Sequence, residues 1–255
     1  SPDFGLTYRD IEKDGFVIDV KVDMQLNSDT PAGLARSMGL GLSGFGEAFE
    51  RLQPDVLLVV GDRFELLPAV AAATVARIPV AHVHGGETTE GAFDEGIRHA
   101  ITKMSHLHFV AAEDYRRRVV QLGEDPARVF LVGGLGIDNI NRLPLLDLAE
   151  LESRLGFRLG SRSVLITFHP VTLENATSHG QMMELLAVLD LRKDTQLIFT
   201  MPNADPGSRT LVELIEAFVA GHSNARAFTS LGQLLYLSCM RYVDAVVGNS
   251  SSGLT

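Results

Sequence analysis

Short apolar runs recur along this chain, each followed by a stretch with helical spacing, and that alternation leaves few folds open. The runs fall at 56–60, 78–83, 107–111, 129–132, 164–168, 196–200, 226–228 and 245–247. Between them, helical patterns lie near 32–51, 65–76, 94–104, 114–122, 178–190, 208–220 and 231–240. Strands buried on both faces read as continuous Val/Ile/Leu runs, and parallel strands need helical crossovers to join them. The expectation is an α/β protein built on parallel sheets. No repeat or low-complexity segment interrupts the rhythm.

Residues 141–162 do interrupt it. Asn141-Arg142-Leu143-Pro144 opens a polar, leucine-spaced stretch that ends at Gly156 and Gly160. It reads as a connector, with one domain over 1–145 and a second over 146–255. Both ends read as cut. Ser1 to Gly5 supply no first strand, and the turn at 248–253 should open a helix that does not follow. An uncovered strand predicts exposed apolar surface.

Composition narrows the function. Of 255 residues, 45% are apolar and 21% charged, as expected of a globular chain. The net charge of −10 disfavours nucleic-acid binding, so an anionic ligand needs local donors. A single cysteine excludes an internal disulfide and fits a reducing compartment. With no signal peptide or membrane-length apolar run, the expectation is a cytoplasmic protein that binds no membrane.

The stretch 82–103 carries more titratable groups than packing needs: His82, His84, Glu87, Asp94, Arg98 and His99. It leaves an apolar strand, passes Gly85-Gly86 and enters a helix. In parallel sheets ligands bind beyond the strand carboxyl ends, so the stretch reads as an active-site wall. Asp62, in Gly61-Asp62-Arg63-Phe64-Glu65, ends another strand and is either a helix N-cap or a carboxylate at the crevice. His82 and His84, two apart on a strand, point to one face. His106 and His108 repeat the spacing, and such a pair is either structural or half of a metal site. Asp94 and Arg98 share a helix face bordering the apolar stripe of Ile97, Ile101 and Met104. They form either a surface ion pair of little energy or an oriented catalytic pair.

Further signals follow in the second half. His169, in Phe168-His169-Pro170, is a turn residue or a group entering a cleft. Met201-Pro202-Asn203-Ala204-Asp205 ends the next strand. Gly248-Asn249-Ser250-Ser251-Ser252-Gly253 offers successive N–H groups and hydroxyls, suited to a phosphate if it is more than a common Ser/Gly turn. It lacks the lysine of a P-loop.

Together, in this order, the motifs Gly61–Glu65, His82–Glu87, Phe93–Lys103, Phe168–Pro170, Met201–Asp205 and Gly248–Gly253 make the chain resemble the hydrolysing UDP-N-acetylglucosamine 2-epimerases of the bacterial sialic-acid and legionaminic-acid pathways. The resemblance implies two Rossmann-like domains facing across a cleft, as in GT-B glycosyltransferases. It implies conversion of UDP-GlcNAc, or a UDP-2,4-diacetamido-trideoxy relative, to UDP and the free manno-configured sugar. Asp62, Asp94, Arg98 and His169 are the implied catalytic groups. Arg63, His84, Glu87, Asn203, Asp205, Asn249, Ser250, Ser251, Ser252 and Gly253 are the implied substrate contacts. Many relatives carry Glu where this chain has His84. No metal or other cofactor is implied, and the partners are the UDP-sugar, UDP and further copies in a homodimer or larger homo-oligomer. The competing readings are an acceptor-dependent GT-B glycosyltransferase, a silent UDP-sugar-binding module and a metal-dependent hydrolase using the His-x-His pairs.

Overall fold

The computed structural model describes residues 6, 8–26, 28–174, 177–203 and 205–250. The chain divides into two units: 17–138, and 139–255 together with 1–16. Every one of the eight apolar runs forms a strand, within a residue or two of its expected limits, and all seven helical windows form helices.

Helix α1 (Tyr8–Lys13) groups with the second unit, and the first unit opens with α2 (Pro31–Leu52). Then come β1 (Leu57–Val60), α3 (Leu66–Ala76), β2 (Val80–Val83), α4 (Asp94–Met104), β3 (Leu107–Val110), α5 (Glu113–Gln121) and β4 (Val129–Leu131). The strands pair in parallel in the order β1-β2-β3-β4. The register sets Leu57 opposite Val80 and Val60 opposite Val83. Thr30 caps α2 by accepting from the Gly33 N–H, with Pro31 in the first turn where its missing N–H costs nothing. Phe49, Val59, Val70, Val80 and Ile101 bury together between sheet and helices. Leu58 and Val60 of β1 remain exposed.

The second unit holds α6 (Leu135–Arg142), which starts at its edge, then α7 (Leu148–Leu155), β5 (Ser163–Thr167), α8 (Ser178–Asp190), β6 (Gln196–Thr200), α9 (Ser208–Ala220), β7 (Ala225–Phe228), α10 (Gly232–Tyr242) and β8 (Ala245–Gly248). Its parallel sheet runs β7-β6-β5-β8. The chain builds outward from β5 to β7, then returns to the other side of β5, which makes the β5–β8 edge a topological switch point. Ile166, Leu197, Phe199, Leu211 and Ile215 form its largest buried cluster.

Helix α7 corrects the connector expected at 141–162. Leu146, Leu151, Leu155 and Leu159 pack with Leu165, Ile198 and Cys239, so these leucines belong to the second core. The helix signals were present: Asp147 accepts from the Glu150 N–H at 2.8 Å, and Gly156 ends the helix in the left-handed region at φ 59°. Helices α1 and α6 are likewise additions to the sequence-based reading.

One glycine shows how tightly the first unit closes around its loop. Gly86 has φ +78°, and a Cβ there would lie 2.5 Å from the Tyr115 carbonyl oxygen and 2.8 Å from Val119 Cγ2. Both a left-handed backbone and close approach to α5 therefore require glycine. Gly86→Ala is expected to destabilise the fold by more than about 1 kcal/mol, read from the denaturant midpoint at unchanged m.

Candidate active site

Strands β1 and β2 are parallel neighbours, so the turns after both emerge at the same edge of the sheet. Gly61-Asp62-Arg63 follows β1, and His84-Gly85-Gly86-Glu87 follows β2. Helix α4 brings Arg98 to this edge, where it is only 6% exposed. Its Nη1 donates to the His84 carbonyl at 2.8 Å and to Glu87 Oε2 at 3.5 Å. Its Nη2 donates to Asp62 Oδ2 and, at 3.1 Å, to Thr89 Oγ1. The Thr89 hydroxyl donates onward to the same Asp62 oxygen at 3.4 Å. The Thr89 N–H in turn donates to Glu95 Oε2 at 2.5 Å, and Glu95 Oε1 contacts His99 Nε2 at 3.2 Å.

This arrangement separates the open sequence readings. Asp62 is not a cap: α3 begins after Glu65, whose side chain makes no capping bond. Asp62 Oδ2 is instead held by Arg98 and Thr89, while Oδ1 takes no part in those bonds. The surface Asp94–Arg98 pair is overturned. Both residues are buried, at 8% and 6% exposed, and the guanidinium reaches Asp62, Glu87, Thr89 and a backbone carbonyl. Spacing four apart places two residues on one helix face, but a buried guanidinium turns to whatever set of acceptors can replace its water. Thr89 was missed; only tertiary contact gives a loop threonine a role.

The shared face for His82 and His84 also fails. Strand β2 ends at Val83, and His84 has φ +62°, a left-handed conformation unusual outside glycine, so strand alternation does not reach it. His82 is fully buried, with Nε2 2.8 Å from the Gly61 carbonyl and Nδ1 3.2 Å from Thr102 Oγ1. His106 Nδ1 accepts from the Val80 N–H at 3.2 Å, and His108 Nε2 lies 3.2 Å from Glu124 Oε2. These three rings serve the fold. His84 differs: its Nδ1 sits 2.5 Å from Glu87 Oε1, and its Nε2 has no protein partner among the described residues. Arg63 places Nη2 3.3 Å from Glu65 Oε1 and its guanidinium over the Phe64 ring.

In the second unit the switch point gathers His169 and Asn249. The last ladder pair is Thr167 opposite Gly248. Beyond it, the His169 N–H donates to Asn249 Oδ1 at 2.8 Å, and Asn249 Nδ2 donates to the His169 carbonyl at 2.8 Å. After the neighbouring strand β6, Ser208 Oγ donates to the Asn203 carbonyl at 2.5 Å and accepts from the Asp205 N–H at 3.1 Å, tying that loop to the start of α9. Asp205 is buried and Asn203 exposed. Ser250 is the last described residue; Ser251, Ser252 and Gly253 lie outside the described residues. Among the described residues, no helix is long and apolar enough to cross a membrane.

Burial pushes the His82 imidazole down from 6.5 to about 4, against the raising effect of the Gly61 carbonyl. His108 is also lowered, by burial first, against Glu124. In the unfolded chain the same ring takes its proton near 6.5, so the unfolded state gains protons first as pH falls. The stability carried by neutral His82 is complete above about pH 6.5 and is lost as pH falls to about 4. The loss is on the order of 3 kcal/mol. Thermal melts between pH 7 and pH 4 are expected to steepen across that window, and His82→Asn to flatten the slope while lowering stability at neutral pH. At Arg98, methionine leaves two carboxylates without their cation and is expected to cost about 3 kcal/mol or more in chemical denaturation. Lysine keeps the charge but not the fork that meets four acceptors, so Arg98→Lys should fold more stably than the methionine variant.

The sequence pattern of the UDP-N-acetylglucosamine 2-epimerase family matches residues 1–255. The chain is 42% identical over its whole length to a GDP/UDP-N,N'-diacetylbacillosamine 2-epimerase (hydrolyzing) of Campylobacter jejuni, and covers 66% of that protein. It is 39% identical over 98% of its length to a polysialic acid biosynthesis protein of Escherichia coli, and covers 64% of it. The chain thus spans about two thirds of the length of these relatives. In fold it is similar to a crystal structure of Methanocaldococcus jannaschii UDP-GlcNAc 2-epimerase in complex with UDP-GlcNAc and UDP. That match has a TM-score of 0.72 at 17% identity and covers 92% of this chain and 65% of that one. The motifs, the two parallel sheets and the match along the whole chain lead to one conclusion: the chain belongs to the UDP-N-acetylglucosamine 2-epimerase family.

Proposed function

We propose that the full-length protein is a hydrolysing 2-epimerase of a UDP-linked N-acetylhexosamine. It takes UDP-GlcNAc or its 2,4-diacetamido-trideoxy relative to UDP and the free manno-configured sugar. The name of the Campylobacter relative favours the second substrate. The observation that carries the reading is the Asp62 carboxylate fixed at a strand carboxyl end by the buried Arg98, with one oxygen held and the other left for a reacting group.

The reaction needs a base at C2, a place for the leaving diphosphate and a proton donor to C2 afterwards. A carboxylate removes the C2 proton, and the electron pair forms the C1–C2 double bond as the C1–O bond breaks and UDP departs. Water then adds across the double bond: hydroxyl goes to C1, and a proton goes to the other face of C2. A weakly acidic C–H demands a positioned base. Asp62 and Asp94 supply carboxylates, and His84, backed by Glu87, supplies a further proton-carrying group whose Nε2 has no protein partner among the described residues. Arg98 orients Asp62. His169 and Arg63 offset the charge that develops on the diphosphate. Asn203, Asp205 and the residues Ser250 to Gly253 belong to the nucleotide end of the site. The working protein is a homo-oligomer.

Full-length protein incubated separately with UDP-GlcNAc and the UDP-2,4-diacetamido-trideoxy sugar should release UDP and an N-acetylated manno sugar from one of them, read by NMR. Solvent deuterium should appear at C2. Asp62→Asn and Asp94→Asn should each lower turnover about a hundredfold or more while UDP binding is kept. Wild-type turnover in both would remove them from the mechanism. Transfer only when an acceptor sugar is added would make the protein a glycosyltransferase.

A further inference from the structure

We infer that Asn249 is a positioning residue for His169, acting through the backbone at the β5–β8 switch point, and that its side chain is not a nucleotide contact. The inference rests on the proposed function, in which His169 acts on the departing diphosphate.

The geometry begins one residue earlier. Gly248 has φ +139°, and a Cβ on it would lie 1.8 Å from the Thr167 carbonyl oxygen. Only glycine lets β8 approach β5 this closely at its end. The approach lets the Asn249 N–H donate to the Thr167 carbonyl at 3.3 Å, and then the sheet ladder stops. Three residues past Thr167, Pro170 has no N–H to carry the ladder further. The His169 peptide groups would be left to water at the point where the ring must keep a fixed aim. The Asn249 side chain takes over as a substitute strand: its Oδ1 accepts from the His169 N–H and its Nδ2 donates to the His169 carbonyl, both at 2.8 Å. An amide is the one short side chain that offers a donor and an acceptor side by side, as a peptide does. These two bonds fix the plane of the Asn249 amide and engage both of its heteroatoms on His169. A nucleotide at the turn would then meet the residues after Asn249, while Asn249 sets the direction of the imidazole.

The test is a double-mutant cycle in the full-length protein, with steady-state turnover of the UDP-sugar and calorimetric UDP affinity as readouts. Asn249→Ala should lower kcat by some tens-fold, the scale of a small misplacement of a reacting group. KM and the UDP Kd should move by about twofold or less. In a His169→Ala background the same substitution should change kcat by less than about twofold, because the group it positions is gone. Asn249→Asp keeps the acceptor half and loses the donor half, and its kcat should fall between those of wild type and Asn249→Ala. A Kd for UDP raised tenfold or more in Asn249→Ala with kcat retained would overturn the inference, as would an equal loss of kcat in both backgrounds. If His169→Ala alone turns over like wild type, it is the reading of His169 that fails, and the inference falls with it. Circular dichroism and melting of both Asn249 variants separate loss of aim from loss of fold, and the aspartate variant carries the test if the alanine variant does not fold.

Discussion

A guanidinium cannot be buried unless protein acceptors replace its water, and in this molecule that demand organises one sheet edge. Arg98, 6% exposed, draws in acceptors from three different segments. Asp62 comes from the end of β1, His84 and Glu87 from the end of β2, and Thr89 from the loop that follows. Remove the charge and these side chains lose the donor they share. Its chemical consequence is a carboxylate held at one oxygen, next to a histidine whose own orientation is set by a second carboxylate bound to the same arginine.

The second unit solves a similar problem without charge. There the constraint is close approach: Gly248 lets two parallel strands meet where a Cβ would collide with a carbonyl. A side-chain amide then extends the ladder past its last backbone pair. Both edges use the strand carboxyl ends, where the parallel sheet leaves its last backbone groups to be satisfied by loops, and so leaves room for chemistry.

Much of this was legible in the residues. The eight runs and seven helical windows became strands and helices because short Val/Ile/Leu segments and 3.6-residue spacing encode burial locally. Helix α7 was also encoded, by Asp147, Glu150 and Gly156, but its leucines looked like spacers until a second core was there to receive them. The histidines were harder. His82, His84, His106 and His108 share one spacing, yet three of them satisfy backbone or buried groups. His84 instead stands in the loop beside Glu87 and Arg98, because the chain turns left-handed right after β2.

The sequence by itself determined the α/β class, the two parallel sheets and the loops that carry polar groups, because these follow from local periodicity and from where apolar runs stop. Tertiary structure alone decided that Arg98 serves Asp62 and Glu87, that Thr89 joins them, and that Asn249 clasps His169 across a separation of eighty residues. The physical reason is that desolvation and hydrogen-bond geometry depend on which loops meet at a strand end. Helical spacing records which residues share a face, but not which acceptors will be waiting when that face is buried.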